Sequence, residues 1–197
     1  MRLRLAGLRS ALAGPFDLSV AAGACVAVTG PSGSGKSLLL RMIADLDPNE
    51  GEVWCDDVPR AAMPAPEWRR RVAYAAAEPG WWAETVAPHF SDLAAAKSLA
   101  GAIGLAPALL VGLVARLSTG ERQRLALLRT LLPAPPVLLL DEPTAALDAG
   151  SVAQVEALLR ARLAAGAAVL LVTHDAALAA RLGQRRFAMQ AGKLAPA

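Results

Sequence analysis

The stretch GPSGSGKS, residues 30–37, decides the fold. It matches G-x-x-x-x-G-K-S and stands between the apolar run ACVAVT and the helical pattern KSLLLRMIADL. Its glycines let the backbone curl so that successive N–H groups face inward as an anion nest, and the positive end of the following helix adds to the field. Lys36 then reaches the β- and γ-phosphates of a nucleotide, and the Ser37 hydroxyl is placed to ligate Mg²⁺. A strand, a phosphate-binding loop and a helix in this order predict an α/β protein.

Two further apolar runs end in polar chemistry. VLLL, residues 137–140, runs into DEPT, and AAVLLV, residues 167–172, runs into THD. Continuous Val/Leu runs suit parallel strands buried on both faces, and in such sheets the ligand crevice lies at the carboxyl ends of the strands. Asp141 is therefore expected to hold Mg²⁺ through water, and Glu142, pointing differently, to polarise the water that attacks the γ-phosphate. His174 is expected at the same sheet edge, near the γ-phosphate and that water. Asp175 also reads as the cap of the next helix.

The chain has 197 residues, 55% of them hydrophobic, which is enough for one well-buried domain spanning 1–197. The net charge of +3 and a single basic run, Arg69-Arg70-Arg71, do not make a nucleic-acid footprint, and no nucleic-acid partner is expected. Cys25 and Cys55 lack ligand or disulfide-framework spacing, which fits a reducing cytoplasm. MRLRLAGLRS alternates like a strand and has no signal-peptide core. Residues 99–115, LAGAIGLAPALLVGLVA, are uncharged, but Gly101, Gly104, Pro107 and Gly112 predict two short helices broken around residues 104–107 and not a membrane span.

LSTGERQR, residues 117–124, contains Ser118 followed three residues later by Glu121, a capping box for the helix that continues into leucines. Together, GPSGSGKS, LSTGERQR, VLLLDEPTAALD and VTHD resemble, in order and spacing, the ATP-binding subunits of ABC transporters across essentially the whole chain. The resemblance implies a P-loop core with a mainly parallel sheet, a small antiparallel β region near the amino terminus and a short helical subdomain at about 78–117. It implies ATP contacts from Gly30, Pro31, Ser32, Gly33, Ser34, Gly35, Lys36, Ser37 and Leu38, with Ser37 and Asp141 at Mg²⁺ and Glu142 and His174 catalytic. The signature turn Ser118, Thr119, Gly120 and Glu121 would face an ATP held by a second copy of the cassette, with Asp148 on the loop crossing that interface. The partners implied are that second copy and a membrane-spanning permease on another chain, which would hold this chain at the inner face of the membrane.

Three features depart from the family pattern. Ala77 stands where a glutamine usually senses Mg²⁺ and water, and Glu78, the next polar side chain, is expected to replace it in part. The loop GLRSALAG, residues 7–14, lacks the usual adenine-stacking aromatic, leaving Arg9 either to stack its guanidinium or to stand in solvent. Thr119 occupies a position where glycine is common. The motifs are also compatible with two other functions. One is a soluble ABC-type ATPase of DNA maintenance or translation, although the chain has neither sustained heptads nor an internal repeat. The other is a cassette with weak turnover.

Overall fold

The computed structural model describes residues 1–197. Ten strands form in chain order: β1 (Leu3–Arg9), β2 (Phe16–Val20), β3 (Cys25–Thr29), β4 (Glu50–Cys55), β5 (Val58–Pro59), β6 (Val72–Ala75), β7 (Val137–Asp141), β8 (Ala168–Val172), β9 (Arg185–Gln190) and β10 (Lys193–Pro196). The helices are α1 (Lys36–Ile43), α2 (Ala65–Arg71), α3 (Leu93–Ala100), α4 (Thr119–Leu131), α5 (Ala149–Ala164) and α6 (Ala176–Leu182).

Six strands make one sheet in the order β10-β9-β3-β8-β7-β6, parallel except for β10, and β2-β1-β4-β5 make a smaller antiparallel sheet. Alternation along the central strands explains why both faces are covered. Val26, Val28, Leu139, Leu170 and Val172 join Leu39, Leu40, Met42 and Ile43 of α1 and the inner face of the antiparallel sheet in one apolar core. Leu138, Leu140, Val169 and Leu171 point the other way, onto Val155 and Leu159 of α5 and Leu178 of α6. Every residue of β7 and β8 is buried, as an apolar run with a layer on each side requires. Both cysteines are buried and free, and burial pushes the Cys25 thiol up to about 12.

Residues 86–117 wrap a third apolar cluster of their own, which Leu125 and Leu128 of α4 complete. Here the expectation of two short helices is corrected. Only α3 is α-helical, and it ends at Ala100; single 3₁₀ segments follow at Gly101–Ile103, Pro107–Val111 and Val114–Arg116. Gly104 takes a left-handed φ of 66°, and Pro107 lacks the N–H that a continuing helix would need. No helix is long and apolar enough to cross a membrane.

Candidate functional site

The carboxyl ends of β3, β7 and β8 open on a cavity of about 820 Å³, lined by the loop after β3, by Ala77, Asp141, Glu142 and His174, and by Leu12 at its rim. The loop curls through left-handed glycines: φ is 75° at Gly33 and 104° at Gly35. A Cβ on Gly30 would stand 2.2 Å from the Met189 carbonyl oxygen, so only glycine fits there. Gly35 caps α1 without any side-chain hydrogen bond, which leaves the first amides of that helix available to an anion. Lys36 Nζ folds back over the loop and donates to the carbonyls of Gly30 at 2.8 Å and Pro31 at 2.7 Å.

Asp141 ends β7 on the α1 face of the sheet. It is 3% exposed, and Tyr74 Oη donates to its Oδ2 at 3.0 Å. Burial, and then the charge of Asp141, push the Tyr74 phenol well above its usual range, so it stands as a donor. Glu142 follows with φ at 48°, an uncommon backbone state for a non-glycine residue. Its amide donates to Val172 O at 2.9 Å, its carbonyl accepts from Gln123 Nε2 at 2.6 Å, and its Oε2 meets His174 Nδ1 at 2.9 Å. Turned this way, the Glu142 carboxylate faces the imidazole while Asp141 faces α1.

The residues present fit a nucleotide with a hard cation. The Ser34 Oγ is buried in the loop without a hydrogen-bond partner, and a Cβ on Gly33 would meet nothing within 4 Å, so the loop wraps a space that protein does not fill. Ser37 and Asp141 both line that space and offer hydroxyl and carboxylate oxygens, the donors Mg²⁺ takes alongside phosphate oxygens. No group of three or more His, Cys, Asp or Glu forms an all-protein metal cage.

Several residues lie apart from this cavity. Ser118 and Glu121 form the capping box: Ser118 Oγ accepts from the Glu121 amide at 3.3 Å, and Glu121 Oε2 accepts from the Ser118 amide at 2.8 Å. Neither they nor Gly120 line the cavity of their own chain. Asp148, exposed, caps α5 by accepting from the Ser151 amide at 2.9 Å, and that bond holds its carboxyl below the usual range. Asp175 caps α6.

Of the two readings of Arg9, the solvent one holds: its side chain is exposed, it pairs with Glu50 of β4 at 2.7 Å, and the exposed loop side chain at the cavity rim is Leu12. The expectation for Glu78 is corrected. Ala77 lines the cavity, but Glu78 does not; beyond the end of β6 it lines a smaller one of about 260 Å³ with Ala77, Thr119 and Arg122. Sequence reasoning missed Tyr74, Gln123 and Leu12. Tyr74 carried a usable signal, a lone polar group in an apolar strand; the other two carried none.

Residues 14–145 match the ABC transporter family. Among curated relatives, a putative ABC transporter ATP-binding protein of Streptomyces coelicolor is 38% identical over 90% of this chain, which spans 33% of that protein. The lipoprotein-releasing system ATP-binding protein LolD of Bordetella pertussis is 38% identical over 91% of this chain and 85% of its own length. A bacterial ABC transporter cassette solved as a dimer superposes with a TM-score of 0.80 at 24% identity, covering 98% of this chain and 96% of that one.

Proposed function

The chain belongs to the ABC transporter family, and from that premise we propose that it is the ATP-hydrolysing subunit of a transporter whose membrane-spanning part is a separate chain. The observation that carries the proposal is the convergence on one cavity of the phosphate loop, Asp141, Glu142 and His174, with the last two 2.9 Å apart. Amides of the loop and α1, with Lys36, bind the phosphates. Ser37 and Asp141 would hold Mg²⁺, which would neutralise phosphate charge. Glu142 orients the attacking water and accepts its proton, and His174 fixes the carboxylate and contacts the terminal phosphate. Two copies pair head to tail, so that Ser118 and Gly120 of one complete the site of the other, as the likeness to a dimeric cassette supports. The protein then works at the inner face of the membrane, held there by its partner.

Ala77 favours a second reading, a cassette that binds ATP but turns it over weakly. Equilibrium ATP binding and steady-state phosphate release separate the two. The transporter reading expects ATP binding and Mg²⁺-dependent hydrolysis in the wild type, with both lost in Lys36→Ala. Binding without hydrolysis favours the second reading, and binding that ignores Lys36→Ala refutes both.

A further inference from the structure

A carboxylate with almost no contact with water needs donors, because a buried charge left unsatisfied is costly. The Asp141 side chain has one hydrogen-bond donor within the chain, the Tyr74 hydroxyl. The sheet sets that contact up. Parallel pairing places Tyr74 directly beside Leu139, and Asp141 follows two residues on, on the same face. A tyrosine is long enough to reach this diagonal neighbour, and its phenol arrives from the side away from the phosphate loop, where Tyr74 and Asp141 share the wall of a separate groove of about 510 Å³. At residue 77, two residues past the end of β6 and on the cavity wall, the chain offers only a methyl group.

We propose that Tyr74 is a positioning residue for the metal: its hydroxyl holds one oxygen of Asp141 and thereby presents the other to the hydration shell of nucleotide-bound Mg²⁺. The proposal rests on the reading of the cavity as a Mg-ATP site. A carboxylate held at one oxygen is restrained from rotating about its last bond, so the other oxygen is kept available to the cavity that Asp141 shares with Ser37. Groups behind a metal ligand act on metal affinity through that ligand's orientation, typically by 10- to 100-fold.

Tyr74→Phe removes the hydroxyl and keeps the ring. With a fluorescent ATP analogue in EDTA, its nucleotide affinity should match the wild type, because the phosphate loop is untouched. Titrating Mn²⁺ into the ATP complex and counting free Mn²⁺ by electron paramagnetic resonance should then show binding weakened about 10-fold. In an Asp141→Asn background, adding Tyr74→Phe should change Mn²⁺ affinity no further. Equal Mn²⁺ affinity of wild type and Tyr74→Phe overturns the proposal alone. A second loss of the same size in the Asp141→Asn background also overturns it, since the tyrosine would then act by another route. A wild type that binds no Mn²⁺ with ATP overturns the Mg-ATP reading and this inference with it.

Discussion

Glu142 holds a left-handed backbone conformation that costs of order 1–3 kcal/mol for a non-glycine residue, and three contacts keep it there. Two act on its main chain, from Gln123 and Val172, and one on its side chain, from His174. Such strain is what aims the carboxylate into the cavity beside Asp141 instead of along it. Glu142→Gln should keep ATP binding and slow hydrolysis by about two to four orders of magnitude, the usual contribution of a positioned base; unchanged phosphate release would reject the role. Gln123→Ala leaves the Glu142 carbonyl and the Ala146 amide without their partner, so hydrolysis should fall while ATP affinity stays, as parallel binding and turnover assays would reveal. Ala77→Gln should raise turnover by restoring a polar group on the cavity wall. Glu78→Ala should change it little, since Glu78 does not line the cavity. The Asp141-Glu142 pair was legible because adjacent carboxylates at a strand end carry their own chemistry. Gln123 was not, because a glutamine in a run of charged helix residues looks like any solvated face until the fold turns it inward.

At the scale of elements, the capping box shows a local rule that survives whatever else the turn does. Ser118→Ala should destabilise the protein by about 1 kcal/mol in thermal or denaturant unfolding. The bonds from the Ser118 amide and hydroxyl hold the Glu121 carboxyl below its usual range. A folded-state value that is depressed gives stability present above the ordinary glutamate pKa and lost as pH falls through the folded one. The Ser118→Ala cost should therefore be largest near neutral pH and shrink below about pH 4. In the segment before α4, a different device holds the chain. His89 Nε2 accepts from the amides of Trp82 at 2.9 Å and Ala83 at 3.2 Å, while Nδ1 donates to Val86 O at 3.1 Å. This buried ring replaces backbone ladder bonds that a helix would have supplied, so His89→Ala should cost about 2 kcal/mol or more, read as a lower unfolding midpoint. The parallel strands could be read from their apolar runs, since a strand buried on both faces leaves that signature. The segment at 101–116 could not, because apolar composition with Gly and Pro fixes burial without fixing the hydrogen-bond pattern.

At the scale of the whole molecule, the signature turn and the phosphate loop belong to one chain and yet not to one cavity. A turn that serves only its helix and a turn that serves another copy's nucleotide make opposite forecasts for Gly120. A Cβ there would approach the Ala146 carbonyl at 3.3 Å and the Leu147 side chain at 3.4 Å, contacts that small shifts relieve, so Gly120→Asp should fold. Its carboxylate would repel a phosphate brought by the second copy, as like charges do at close range. Lys36→Ala fails differently, by losing the cation at its own phosphate loop. Each variant alone should be nearly inactive. If copies pair head to tail, the mixture contains dimers in which one composite site carries both defects and the other carries neither, so it should regain hydrolysis. The assay belongs at high protein concentration, with pairing followed by sedimentation, because a weak dimer dilutes the effect. Full hydrolysis by Gly120→Asp alone would show that the turn only caps its own helix, and the head-to-tail arrangement would lose its chemical basis in this chain.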